Sequence, residues 1–340
     1  MKRKLFFGIC MLLTLIFIIG GCTSSTPETP PANESTNGSS DLEWPTKPIT
    51  LIVGSSAGGG TDTMSRFLAE ELSKELGQPV VVENKPGSAF WIAWTYLVNQ
   101  APKDGYTLAA VNLNIAFGEY DQNVPREIGV DDFELLASHV LDQGVIAIQP
   151  DETRFHDLES LIEYSKEHEL MTCAQSVGID NSDYAMIKWL QDTHGCQFEV
   201  VPVDSTKDGQ AMFYGKNLDV LFAGFSNCFN DHENGIVNIL CVAADERSKI
   251  LPDIPTMTEL GYGGYNTFSA RGYAYAKGVD QAIVDKMSAT IEKVIKNPEI
   301  EQKLLDVGSE TVYWNAEEFT EVINEQLDKR LELWGIPRKQ

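Results

Sequence analysis

The residues Gly54-Ser55-Ser56-Ala57-Gly58 fit the G-x-S-x-G pattern that exposes a nucleophilic serine at a strand-to-helix elbow. The same loop carries Gly58, Gly59 and Gly60, then Thr61 and Asp62, and runs into an amphipathic helical pattern. The first arrangement would attack its guest; the second would only hold it. An elbow needs the helix to begin directly after the serine, whereas three glycines follow here. A triad also needs a downstream acid and a histidine. His139, His156, His168, His194 and His232 all sit in segments that read as polar, and nothing singles one out. Catalysis by Ser56 is therefore the alternative, and binding without turnover is the expectation.

Binding at such a loop has a physical basis. A helix start leaves backbone N–H groups unpaired and carries about half a positive charge. Glycines let a ligand approach those amides without a Cβ in the way. A carboxylate there gains ~1–2 kcal/mol from the dipole, besides charge-assisted hydrogen bonds. Phosphate fits less well, because no Lys-Ser/Thr follows. The spacing is not G-x-G-x-x-G, so a dinucleotide is unsupported and no cofactor is expected. Cys228 and His232, with Asp231 between them, form a faint zinc half-site without a second pair. They read as incidental members of a polar loop, and no metal is expected.

The elements that position the loop alternate between strand and helix, the pattern of an α/β domain. "ITLIV" precedes the glycines; Met64, Phe67, Leu68, Leu72 and Leu76 then share one helical face, and Gly77 reads as a C-cap. "PVVVEN", a helix over residues 88–100 and "YTLAAV" complete a first series. A second series starts at "GVIAIQP". It has a helix near 158–168, the strand "LMTCAQS", a helix over 182–194, the strand "FEVVPV", a helix near Gln210, and the strands "LDVLFAG" and "VNILCVAA". After "ARGYAYAKG" helices are expected over 279–297, 298–307 and 317–334. Two α/β units, the second inserted into the first, would place a ligand between them.

The chain opens with Lys2, Arg3 and Lys4 before an apolar stretch too short for a good membrane span. It ends in Ile18-Ile19-Gly20-Gly21-Cys22, which resembles a bacterial lipobox and implies lipidation of Cys22; the alternative is an ordinary cleaved leader. Residues 23–41, rich in Ser, Thr, Pro and Asn, read as a tether of about 25 Å root-mean-square reach. Formal net charge is −24 over 340 residues, which argues against nucleic acid and against an electrostatic grip on anionic lipid. Any anion site must then rely on local donors. Cys173, Cys196, Cys228 and Cys241 could pair in an oxidising compartment, and sequence does not say whether they do.

Several motifs together resemble the extracytoplasmic receptors of tripartite tricarboxylate transporters, the Bug receptors. They are "WPTKPITLIV", "GGGTD", "LGQPVVVENKPG", "PKDGYTL", "DFELLA", "LPDIPTMTELGY", "NPEIEQKLLDVGSETV" and "NAEEFTEVI", in order along nearly the whole mature length. The resemblance implies a type II periplasmic-binding-protein fold, two α/β lobes with a ligand cleft between them, and no enzymatic activity. On it, residues 1–21 are a lipoprotein signal peptide and 22–43 the lipidated cysteine and tether. Residues 44–143 with 271–340 are lobe 1, and 144–270 are lobe 2. It also implies a small carboxylate ligand, permease subunits as partners, an extracytoplasmic location with membrane contact through the lipid alone, and a monomer. A sensor that signals to a membrane kinase would look the same in sequence.

The expected site is two bare helix starts facing each other. Ser55, Ser56, Ala57, Gly59, Gly60, Thr61 and Asp62 form one side; Ser176, Gly178, Asp180, Asn181, Ser182 and Asp183 form the other. This chain departs from the family pattern in informative places. Ser55, Ser56 and Ala57 stand where an aromatic and two prolines are usual, and Tyr184 where a histidine is. Asn181 and Ser182 suit an N-cap. Asp180 and Asp183 either favour the helix dipole or receive a cationic group of the ligand. Phe90 and Trp91, in place of a glycine-rich stretch, either line the cleft or belong to helix core. Asp204 replaces a common lysine. Arg271 replaces a common aromatic; it either forks onto a ligand carboxylate or pairs with a surface acid. Added acids and aromatics point away from a citrate-like ligand, toward a small carboxylate with an amine or aromatic portion.

Overall fold

A computed structural model describes residues 42–121, 124, 126–174, 178–203, 206–306 and 308–339, without the side chains of 173, 174, 206 and 207. The expected Cys22, Ser176 and Asp204 lie outside the described residues. Residues 42–340 form one compact unit.

The first α/β series is β1 (Ile49–Val53), α1 (Gly60–Leu76), β2 (Val80–Asn84), α2 (Trp91–Asn99), β3 (Thr107–Asn112) and the short α3 (Asn114–Phe117). Next comes β4 (Phe133–Ile148), a single strand of 16 residues. The second series is α4 (Leu158–Glu167), β5 (Leu170–Ala174), α5 (Ser182–His194), β6 (Phe198–Pro202), α6 (Thr206–Tyr214), β7 (Val220–Gly224), α7 (Phe225–Glu233) and β8 (Asn238–Val242). The chain returns through β9 (Phe268–Ala276) and closes with α8 (Gln281–Ile295), α9 (Pro298–Leu305), β10 (Glu310–Thr311) and α10 (Ala316–Trp334).

Strand β4 belongs to two sheets. From Phe133 to Gln143 it pairs antiparallel with β9, in a sheet ordered β2-β1-β3-β9-β4 with β10 on its far side. From Gly144 to Ile148 it pairs with β7 and β8, in a sheet that continues through β5 to β6. Both sheets carry helices on both faces. Met64, Leu68 and Leu72 of α1 join Met287 and Ile291 of α8 over one face of the first sheet. Trp91 and Trp94 of α2 join Phe319 and Ile323 of α10 over the other. In the second sheet α4 and α5 cover one face, while Phe213 of α6 and Phe225 of α7 cover its opposite. Each such side chain is worth roughly 1.5–3 kcal/mol of burial. Strands β1, β3 and β7 read as nearly continuous apolar runs because little of either face meets water.

Two elements differ from the sequence expectation. The stretch "FSNCFNDHE" is helix α7, not a polar loop, so Cys228 and His232 stand one turn apart on a helix. Cys228 is buried, and His232 Nδ1 accepts from the Ile239 amide at 3.3 Å. Strand β4 begins eleven residues before "GVIAIQP" and carries polar Ser138, His139 and Asp142 through the interior. His139, expected in a polar segment, is thus a buried strand residue. Cys196, Cys228 and Cys241 are free and buried, and burial pushes the Cys241 thiol up to about 12.

The entry to α2 is strained. Ser88, Ala89 and Phe90 take φ of 49°, 49° and 78°, the left-handed region that costs L-residues roughly 1–2 kcal/mol each. The bend brings Phe90 against the end of β1, where a Cβ on Gly54 would lie 2.7 Å from the Phe90 Cα. Replacing Ser88 and Ala89 by glycine should therefore raise stability by about 0.5–1 kcal/mol each, less the entropy glycine adds to the unfolded chain. Gly54→Ala should lower it by about 1–3 kcal/mol through overpacking. Urea melts of the three variants read both signs.

Candidate functional site

Helix α1 starts without a side-chain cap: its N-cap is Gly59, and among the described residues no side chain bonds the first-turn amides. Two of the loop's own amides are already engaged. Gly58 N donates to Asp62 Oδ2 at 2.8 Å, and Gly59 N to the Ser56 carbonyl at 3.2 Å. The amides of Gly60, Thr61 and Asp62 are those a helix leaves unpaired within itself. Asp62 is buried and turns its carboxylate into this loop. Its carboxylate also takes Arg66 Nε at 3.0 Å and Asn84 Nδ2 at 2.8 Å. Asn84 donates to the Ser55 carbonyl as well, at 2.9 Å. Burial pushes the Asp62 carboxyl up, but the bonds from Arg66, Gly58 and Asn84 outweigh it and hold the group below the usual carboxylate range.

Arg271, on β9, lies directly over that start. A Cβ built on Gly60 would be 3.7 Å from its Nη2 and 3.9 Å from its Nη1, so any side chain there would cover the guanidinium. Nη2 donates to Asp142 Oδ2 at 2.8 Å; the side chains are 15% and 3% exposed. Arg271 thus pairs with an acid, but a buried one and not a surface one. Its Nη1 is buried and has no partner among the described residues. The hydroxyl of Ser55, beneath the glycine turn, is likewise buried without a described partner. Buried polar atoms are paired in the great majority of cases, so two orphans beside one helix start mark it as a place for an incoming acceptor.

Asp142 sits where β4 passes between the sheets. Its Oδ1 accepts from Ser226 N at 2.9 Å, and its Oδ2 from Ser226 Oγ at 2.7 Å, so it caps α7 from across the junction. Gly224 makes that approach possible, since a Cβ there would lie 2.7 Å from Oδ2. Asp142 and Ser226 were not among the residues expected from the sequence.

The start of α5 is not the bare counterpart expected. Asn181 caps it, its Oδ1 accepting from Tyr184 N at 2.7 Å. Arg330 of α10, 2% exposed, holds the preceding turn. It donates to the Ile179 carbonyl at 2.6 Å, the Asn181 carbonyl at 3.1 Å and Tyr265 Oη at 3.0 Å. Its Nη2 reaches Ser182 Oγ at 3.5 Å. Gly178 accepts the Asn181 amide, and Asp180 is half-buried beside it. Asn181 and Ser182 are therefore committed within the protein. Trp91 is 3% exposed and packs edge-on against Trp94 in the core. Phe90 stacks on Trp94 at 5.6 Å and stays partly exposed beside Gly54. Ser56 and Ala57 are exposed at the loop tip. A groove of about 390 Å³ near Glu119, Lys277, Thr320 and Lys339 shares no residue with this site.

Asp183, in the first turn of α5, keeps part of its surface open, yet protein surrounds its carboxyl. Burial raises it to about 7, the Asp142 charge adds to this, and Arg330 opposes it. Burial, with the Arg271 charge behind it, holds His139 down at about 3, so that ring is neutral and bonds Tyr273 Oη at 3.0 Å.

The family model described as "Tripartite tricarboxylate transporter family receptor" matches residues 64–334. A Cupriavidus necator protein described as "UPF0065 protein in gbd 5'region" is 28% identical, over 88% of this chain and 90% of its own. Protein BugT of Bordetella pertussis is 24% identical, over 79% and 82%. Among solved structures, the periplasmic binding protein BugD is 25% identical with a TM-score of 0.74, covering 86% of this chain and 98% of its own. MatC of Rhodopseudomonas palustris, solved with bound malate, is 22% identical with a TM-score of 0.71, covering 85% of this chain and 99% of its own.

Asp183 gives the site a pH signature. The unfolded chain releases this proton near 3.8 and the folded one near 7, so the folded state binds more protons between those values. Stability of the free protein should fall as pH rises across that window. Asp183→Asn should raise the melting temperature at pH 7.5 and leave it nearly unchanged at pH 4, as a pair of thermal melts would show.

Proposed function

The chain belongs to the tripartite tricarboxylate transporter receptor family, and from that premise we propose that it captures a small carboxylate-bearing solute outside the cytoplasm for a membrane permease. It is a solute-binding receptor and not an enzyme. The fold is that of the family's periplasmic receptors, α/β on both sides of a junction. Residues 44–143 with 271–340, and residues 144–270, act as two lobes that close on the solute. One relative of this fold was solved with malate and another from the same organism with adipate, both carboxylates. The observation that carries the reading is the unpartnered Arg271 Nη1 over the uncapped start of α1. A guanidinium nitrogen and a set of helix-start amides converge there, and a carboxylate satisfies both with charge-assisted bonds.

Lipidation of Cys22 would keep the receptor beside its permease. Two or three acyl chains, at ~0.8 kcal/mol per buried CH₂, anchor a protein stably. Among the described residues no helix is long and apolar enough to cross a membrane.

A saturating solute should stabilise the protein by mass action, about 2.7 kcal/mol at one hundred times Kd. Arg271→Lys keeps the charge facing Asp142 but loses the planar fork. It should fold and bind at least about tenfold more weakly, a step worth ~1.4 kcal/mol. A thermal-shift screen of mono- and dicarboxylates, followed by calorimetric titration of both proteins, checks this; equal affinities would remove Arg271 from the site. Cys22→Ser should move the protein from the membrane fraction to the soluble one, and a blot of the two fractions reads the outcome.

A further inference from the structure

The charges inside the junction do not sum to a site for a dianion. Arg271 is half neutralised by Asp142. Arg330 turns its guanidinium to backbone carbonyls and packs over Phe117 at 4.7 Å. His139 is buried against Tyr273. Asp183, in the first turn of α5, adds a second acid, close enough for the Asp142 charge to act on it. Met186, one turn along the same face of α5, accepts from Thr267 Oγ1 at 3.7 Å, and its Cε lies 3.2 Å from a Cβ built on Gly144. Gly144 and Asp142 share one face of β4. The Asp142–Arg271 pair thus offers a donor and an acceptor side by side, with a second acid close by.

Resting on the receptor reading, we infer that the solute is an α-amino carboxylate. Its carboxylate takes Arg271 Nη1 and the amides that open α1, and its ammonium lies between the carboxylates of Asp142 and Asp183. An α-amino acid carries its ammonium and its carboxylate on one carbon, matching the adjacent, opposite charges of Arg271 and Asp142. A net charge of zero suits a cleft whose arginines are already largely occupied. A second ligand carboxylate, in contrast, would face the carboxylates of Asp142 and Asp183. The ammonium also relieves the strain between the two acids. Asp183 is faced by Asp142 from β4, Arg330 from α10 and the Cys228 thiol from α7. Burial and the Asp142 charge raise Asp183 toward neutrality, so a cation beside it drives off its proton.

Matched pairs that differ only in the amine test this by calorimetric titration: alanine against propionate, aspartate against succinate, glutamate against glutarate, phenylalanine against 3-phenylpropionate. At least one amino member should bind about tenfold or more tightly than its deaminated partner. Titrations at pH 6 in buffers of different ionisation enthalpy should show net proton release on binding. Asp183→Asn, which resembles the protonated side chain in shape, should abolish the release and bring the amino preference below about threefold. Tighter binding of every deaminated partner, or proton uptake, overturns the inference and leaves the receptor reading standing. Failure of all eight compounds to bind overturns the inference too; the receptor reading falls with it only if the wider carboxylate screen is also blank. A variant that keeps both preference and proton release removes Asp183 from the ammonium seat.

Discussion

A buried guanidinium with one nitrogen committed and the other unpartnered is the constraint around which the junction is organised. Removing a guanidinium from water is costly unless its donors are met. Arg271 meets part of that cost through Asp142, and Asp142 in turn accepts two bonds from Ser226. The chain β9 to β4 to α7 therefore crosses from one sheet to the other through a single run of charge-assisted bonds. What it leaves over is Nη1, 3.9 Å from a Cβ built on Gly60 at the start of α1. An incoming carboxylate would complete the set without displacing any bond already made.

The surrounding residues hold this geometry in place. Asp62, Asn84 and Arg66 clamp the glycine loop from below, so the first-turn amides of α1 do not depend on the ligand for their arrangement. Arg330 fixes the turn before α5 by its carbonyls, leaving the Asp183 carboxyl to the junction. The two helix starts are consequently different tools. One is bare and electropositive; the other is capped, and its first turn carries an acid. That asymmetry is what a ligand with both a negative and a positive end requires, and it would be wasted on a symmetric anion.

Much of the fold could be read from periodicity alone. The α5 range of residues 182–194 and the strands around β1, β2 and β3 follow directly from apolar runs and caps. Strand β4 could not be read whole, because Ser138, His139 and Asp142 interrupt its apolar pattern, and they do so because the strand passes under the site. Helix α7 was hidden for a related reason: "FSNCFNDHE" fully buries only Phe225 and Cys228, and apart from Phe229 its other residues are polar. Arg271 could be named from the sequence as an unusual residue, but its partner could not, since Asp142 is 129 positions away and nothing local couples them. Asp62 looked like a ligand residue because it stands in the glycine loop; only its three bonding partners reveal that it supports the loop. Trp91 and Phe90 are adjacent in sequence, and the left-handed bend at Phe90 decides that one enters the core and the other stays near the loop.

The central claim is that a solute carboxylate completes the hydrogen bonding of Arg271 at the start of α1. A crystal structure with a tightly bound solute tests it most directly. The account predicts a carboxylate oxygen within about 3 Å of Arg271 Nη1 and of an amide of Gly60 or Thr61, with the Arg271–Asp142 bond intact. A solute carboxylate seated elsewhere, with Nη1 still unbonded or turned to another protein group, would contradict it.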